Sequence, residues 1–124
     1  MAKALVVDDS KAVRMILSRI LKELGYEIRE AANGREALET MQADKTLINL
    51  VVADWNMPEV NGLDMLKRLR QDPELASVAV VMVNTETEVD HMVSALEAGA
   101  NEYVMKPFTK EILLEKLQLA GIHP

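Results

Sequence analysis

Leu50-Val51-Val52-Ala53-Asp54 sets four apolar residues directly ahead of an acid. A run this short, rich in β-branched residues and without polar alternation, fits a strand covered on both faces. Leu5-Val6-Val7 before it and Val78-Ala79-Val80-Val81-Met82-Val83 after it repeat the pattern, and Tyr103-Val104-Met105 gives a shorter strand of the same kind. Tyr26-Glu27-Ile28-Arg29-Glu30-Ala31 differs: polar and apolar residues alternate there, as in a strand with one side partly open to water, and it belongs at a sheet edge.

Helical periodicity fills the intervals. Ala12, Val13, Ile16, Leu17, Ile20, Leu21 and Leu24 form one apolar stripe that Gly25 closes. Asn33-Gly34-Arg35-Glu36 carries a capping residue with an acid three positions on, opening a second helix that runs to about Ala43. Asn61-Gly62 opens a third, which ends before Asp72-Pro73. Val89, Met92, Val93 and Leu96 give a fourth helix its buried face, Gly99 stops it, and a last helix holding Ile112, Leu113 and Leu117 begins near Thr109. Leu75-Ala76-Ser77 reads as a connecting loop. Five strands alternating with five helices predict a three-layer, doubly wound α/β fold with a parallel sheet, joined by right-handed crossovers.

The 124 residues suit one domain over 1–124, with no repeat, low-complexity tract or linker. A net charge of −6 with no long Lys or Arg run argues against a nucleic-acid partner. There is no cysteine, which excludes disulfides and thiolate metal sites and fits a reducing compartment. The opening residues reach Asp8-Asp9 too soon to form the apolar core of a signal peptide, and no apolar run approaches the roughly 18 to 20 residues of a membrane span. A soluble, cytoplasmic protein without a membrane partner is the expectation.

Parallel strands all point one way, so the residues that end them gather on one rim, where open α/β sheets bind ligands. Asp8 and Asp9 end strand one, Asp54 strand three, Asn84 and Thr85 strand four, and Lys106 strand five. With strand order 2-1-3-4-5, strands one and three are neighbours about 5 Å apart, and three carboxylates share a small pocket. Each ionised acid opposes ionisation of the next, a conflict that a cation resolves. An all-oxygen set without histidine suits Mg²⁺ or Mn²⁺. Asp8-Asp9 alone reads more readily as a cap for the first helix; Asp54, directly after a strand, has no comparable capping role. Lys106 brings an ammonium that forms a salt bridge at rest and can pair with a phosphoryl oxygen. A nucleophilic carboxylate, a metal and a second cation are what phosphoryl transfer requires.

Val6-Val7-Asp8-Asp9-Ser10, Asp54-Trp55-Asn56-Met57-Pro58, Asn61-Gly62, Ala98-Gly99-Ala100 and Tyr103-Val104-Met105-Lys106-Pro107-Phe108 follow one another in an order and spacing that resembles the receiver domains of two-component response regulators, most closely the single-domain chemotaxis type. The match covers nearly the whole chain. The resemblance implies a flavodoxin-like fold, Asp54 as acceptor of phosphate from a histidine kinase, and Mg²⁺ held by Asp9, Asp54 and the backbone carbonyl of Asn56, with Asp8 acting through metal-bound water. It also implies that Lys106 contacts the phosphoryl group, that the Lys106-Pro107 bond is cis and aims that side chain, and that Tyr103 is the aromatic that turns inward on activation. Tyr103 otherwise reads as a half-buried strand residue.

The family usually has Ser or Thr where this chain has Asn84, with a hydroxyl that bonds the phosphoryl oxygen. The Asn84 amide also donates but sits farther from the backbone, so phosphorylation is expected to be coupled more loosely to Tyr103. Thr85 could substitute after a loop shift, yet Thr85-Glu86-Thr87-Glu88 reads first as a capping box. Glu86, two residues past Asn84, is placed to screen attacking water and to set the lifetime of the phosphorylated state.

His91 and His123 read as surface residues, and Met15, Met65, Met82 and Met92 as core filling. Lys67, Arg68 and Arg70 read as a solvated basic face. A monomeric binding module switched by phosphorylation is the leading functional expectation, with partners a histidine kinase, a downstream protein such as the flagellar motor switch, and a phosphatase. It would catalyse only its own phosphorylation and dephosphorylation. A phosphate sink, a relay protein and a receiver cut from a larger regulator are alternatives. A phosphohydrolase with an aspartyl-phosphate intermediate is disfavoured, because Asp54-Trp55-Asn56 lacks a second acid two positions on.

Overall fold

The computed structural model describes residues 2–45, 47–84 and 89–124, apart from the side chain of Val89. The elements run β1 (Lys3–Val7), α1 (Lys11–Glu23), β2 (Glu27–Ala31), α2 (Gly34–Ala43), β3 (Ile48–Asp54), α3 (Gly62–Gln71), β4 (Ala79–Asn84), α4 (Val89–Glu97), β5 (Glu102–Met105) and α5 (Lys110–Leu119). The strands form one parallel sheet in the order β2-β1-β3-β4-β5, as expected. The proposed capping box at Thr85–Glu88 and the side chain of Val89 lie outside the described residues.

Side-chain alternation along the strands divides the core in two. Leu5, Val7, Val51, Ala53, Val80, Met82 and Tyr103 pack beneath α2, α3 and α4, with Ala37, Met41, Met65, Leu66, Leu69 and Ala95 as their helical partners. Ala4, Val6, Leu50, Val52, Val81, Val83 and Val104 pack beneath α1 and α5 against Leu17, Ile20, Leu21, Leu113 and Leu117. Covering both faces is what makes the central strands continuously apolar in sequence.

Local chemistry starts the helices where the sequence indicated. Asn33 accepts a hydrogen bond from the Glu36 backbone N–H at 2.8 Å, Asn61 from that of Asp64 at 2.9 Å, and Thr109 from that of Ile112 at 3.1 Å. Each bond satisfies an amide that the first turn of a helix would leave unpaired.

Several side chains lie elsewhere than their sequence pattern indicates. Met15 is 53% exposed rather than core, because at 100° per residue it lies about 160° around α1 from the buried Leu17. Ile16, at the margin of the stripe, is 52% exposed. Val93 and Leu96 are also exposed: α4 is seated through Ala95 and Met92, and Val93 lies about 160° from Ala95. Arg70 is half-buried rather than on a solvated face. Its guanidinium donates to the Gly99 carbonyl at 2.8 and 3.1 Å, to the Leu75 carbonyl at 3.3 Å and to Asn101 Oδ1 at 3.2 Å. Burial pushes its pKa below the usual arginine value. Arg70 thereby ties the end of α3 to the turn between α4 and β5, where Gly99 holds φ at +108°.

Candidate functional site

Strand register assembles the site. Val7 pairs with Ala53 across β1 and β3, so Asp8 comes alongside Asp54, the last residue of β3. Asn84 pairs with Met105 across β4 and β5, which sets Lys106 one step beyond, and its N–H donates to the Asn84 carbonyl at 2.7 Å. Alternation then sorts the side chains. Asp8, Asp54 and Lys106 continue the set Val6, Val52 and Val104 on the α1/α5 side, whereas Asn84 continues from Met82 on the α4 side.

The carboxylates of Asp8, Asp9 and Asp54 each offer an oxygen, and these oxygens lie within 4.8 Å of one another. Asp8 is 1% exposed and Asp54 7%, while Asp9 is open to solvent and has no hydrogen-bond or ion-pair partner among the described residues. The Lys106 ammonium stands 2.9 Å from Asp8 Oδ2 and 3.5 Å from Asp54 Oδ2. Asp8 Oδ1 accepts from the Ser10 N–H at 2.9 Å, and the Asp8 carbonyl accepts from Arg14 at 2.6 Å. Asp8 is thus fully engaged and Asp9 is not. Ser10 itself caps α1, accepting from the Val13 N–H at 3.3 Å, so capping falls to Ser10 and not to the acid pair.

Burial pushes the Asp54 carboxyl above the ordinary 3.8; Lys106 opposes the shift, the neighbouring Asp8 charge adds to it, and the Asn56 backbone N–H lowers it. A buried carboxylate short of compensating charge suits a cationic ligand and a nucleophilic role. The donors are all oxygen and include an unpartnered exposed carboxylate, which fits a hard divalent cation that keeps several waters.

The loop after β3 is held against the helices. The Trp55 N–H donates to the Val83 carbonyl at 3.1 Å, and the Gly62 N–H donates to the Trp55 carbonyl at 2.9 Å. A Cβ on Gly62 would fall 2.3 Å from the Asp54 carbonyl oxygen and 2.6 Å from Met82 Cε, so only glycine lets α3 approach Asp54 so closely.

Asn56 is exposed and its side chain donates to Asn84 Oδ1 at 3.2 Å, while Asn84 is entirely buried. Tyr103 is buried beneath α4, more deeply than a half-buried strand residue. The Lys106-Pro107 bond is cis. Thr85 and Glu86 lie outside the described residues. Beside the site, Val13, Ile16, Lys106, Pro107 and Phe108 line a pocket of about 390 Å³.

Sequence reading missed His91. It is half-buried and stacks on Trp55, with ring centroids 4.6 Å apart and planes within 3°, and its Nδ1 is 3.3 Å from Asn84 Nδ2. The spacing from Asn84 to His91 carries no helical or strand signal that would have placed the two side chains together.

The model of the response regulator receiver domain matches residues 4–118. The chemotaxis protein CheY1 of Helicobacter pylori is 43% identical over 118 residues, 94% of each chain. A CheY homolog of Campylobacter jejuni is 39% identical over 117 residues, 94% of this chain and 89% of that one. Among solved structures, the chemotaxis response regulator CheY4 of Vibrio cholerae superposes with a TM-score of 0.88 at 36% identity, covering 97% of this chain and 98% of the other.

Proposed function

The chain belongs to the response regulator receiver domain family, in its CheY type, and on that premise we propose that it is a switch in chemotaxis signalling, charged when a histidine kinase transfers a phosphoryl group to Asp54. The observation that carries this reading is the cluster of Asp8, Asp9 and Asp54 faced by the Lys106 ammonium.

An Asp54 carboxylate oxygen attacks phosphorus, and the bond to the donor nitrogen breaks as the acyl phosphate forms. Asp8, Asp9, Asp54 and the Asn56 carbonyl would hold Mg²⁺ or Mn²⁺, which when bound neutralises charge on the transferring group. Lys106, tied to Asp8 at rest, then has a second anionic partner in the phosphoryl oxygens. The apolar pocket walled by Lys106 itself supports docking of the donor protein directly beside the acceptor.

For output, the supporting feature is the face that α4 and α5 form on the edge strand β5. Val93, Leu96, Met105 and Ile112 are large apolar residues exposed on these three elements. A partner that covers them, such as the flagellar motor switch, stabilises whichever conformer presents them better, by no more than the difference in its affinity for the two.

Treatment with acetyl phosphate and MgCl₂, followed by intact-mass measurement, is expected to add one acid-labile phosphoryl group to the protein and none to Asp54→Asn. Uptake by Asp54→Asn, or no uptake by either, would overturn the assignment. Binding of a motor-switch peptide by the phosphorylated form alone tests the chemotaxis output.

A further inference from the structure

Three groups outside the acid cluster form a chain into α4. Asn56, two residues past the acceptor, donates through Nδ2 to Asn84 Oδ1 at 3.2 Å, and Asn84 Nδ2 faces His91 Nδ1 at 3.3 Å. The His91 ring is stacked on Trp55, the residue that follows the acceptor and is pinned by both of its backbone groups. Asn84 reaches His91 because its strand position faces α4, whereas Asp8, Asp54 and Lys106 face the other side.

A nitrogen-to-nitrogen contact needs one donor and one acceptor. An amide nitrogen can only donate, so with Asn84 in this orientation His91 Nδ1 accepts, the arrangement of the Nε2–H tautomer. The chain then has one direction: the Asn56 amine donates to the Asn84 carbonyl oxygen, and the Asn84 amine donates to His91. With the two amides in these orientations both contacts are satisfied at once.

Resting on the reading of Asp54 as phosphoacceptor, we infer that His91 is a positioning residue. It holds the Asn84 amine on the α4 side at rest, and phosphorylation signals to α4 by drawing that amine away from Nδ1. A phosphoryl oxygen on Asp54 accepts hydrogen bonds, and the Asn84 amine that could answer it is shared with an imidazole which Trp55 stacking keeps from following. His91 is thus a restraint on the phosphorylated conformer, and its release is felt in the first turn of α4.

His91→Phe keeps a ring on Trp55 and removes Nδ1, which separates the hydrogen bond from the stack; His91→Ala removes both. At fixed acetyl phosphate and MgCl₂, His91→Phe is expected to hold roughly two- to tenfold more phosphate than the parent, measured as the ratio of phosphorylated to free protein. That range is the loss of one hydrogen bond of ordinary net strength. The gain should vanish in the Asn84→Thr background, whose shorter side chain does not span to His91; a purely structural role for His91 would persist there. In ¹⁵N spectra of the parent, His91 should show the Nε2–H tautomer at rest and a changed Nδ1 resonance once phosphate is bound. An unchanged Nδ1 resonance in protein that mass measurement proves phosphorylated, or an equal effect of His91→Phe in both backgrounds, overturns the inference alone. A parent that takes up no phosphate overturns the functional reading together with it.

Discussion

Replacing Lys106 with methionine nearly keeps the side-chain length and removes a cation that lies between two buried acids. The ammonium is 2.9 Å from Asp8 and 3.5 Å from Asp54. At an effective dielectric of 20, each contact represents about 5 kcal/mol of gross attraction. Most of that offsets desolvation, and breaking a buried pair typically costs about 3 to 5 kcal/mol because a charge is left uncompensated. Lys106 keeps some contact with water, so the lower end, about 3 kcal/mol, is expected without divalent cations. With a urea m-value of about 1.5 kcal/mol/M, the midpoint falls by roughly 2 M. Magnesium should reverse the loss. The ammonium and a divalent cation compete for the same oxygens, so Lys106→Met should bind Mg²⁺ about tenfold more tightly, equivalent to about 1.4 kcal/mol. Urea melts in EDTA and in MgCl₂, with calorimetric titration of Mg²⁺, provide both readings. A stability within about 0.5 kcal/mol of the parent, or weaker binding of Mg²⁺, would refute the claim that Lys106 is the counter-charge of this cluster.

Because burial raises the folded pKa of Asp54 above its ordinary 3.8, the folded state holds this proton more tightly than the unfolded chain. The contribution to stability is full below about pH 4 and is lost as pH rises through the folded pKa, leaving the ionised group a net cost at neutral pH. Asp54→Asn should therefore raise the urea midpoint at pH 7 in EDTA and flatten its pH dependence; a lower midpoint at pH 7 contradicts this. Gly62→Ala would gain helix propensity of about 1 kcal/mol, but its Cβ meets the Asp54 carbonyl at 2.3 Å. A net loss of about 1 to 3 kcal/mol with slower phosphate uptake should follow, checked by urea melts and timed mass spectra. Arg70→Met strips the donors from the Gly99 and Leu75 carbonyls, which should cost about 1 to 3 kcal/mol with phosphate uptake by acetyl phosphate unchanged. A loss below that range in urea melts would return Arg70 to the solvated face.

Elements and acids were legible in the sequence because their signals are local. A doubly covered strand is continuously apolar, as Leu50-Val51-Val52-Ala53 is, and the caps Asn33, Asn61 and Thr109 act within one helical turn. Strand tips in a parallel sheet must share a rim, so Asp8, Asp54 and Lys106 could be brought together on paper once the strand order was assigned. Side chains whose surroundings come from other elements were not legible. Arg70 looks like any exposed cation until the turn at Gly99 is laid beside α3, and Val93 and Leu96 look like core until α4 is seated on the sheet.

By itself the sequence determined the alternation of strands and helices, the identity of the acid cluster and the family type, since each is written in residue type and short-range order. Only the tertiary structure decided which carboxylate is engaged by lysine and which is free, which face of α4 looks outward, and that a histidine stacks on Trp55 beside Asp54. Those outcomes depend on strand register and helix rotation. One residue of offset moves a strand side chain to the opposite face and a helical one by about 100°.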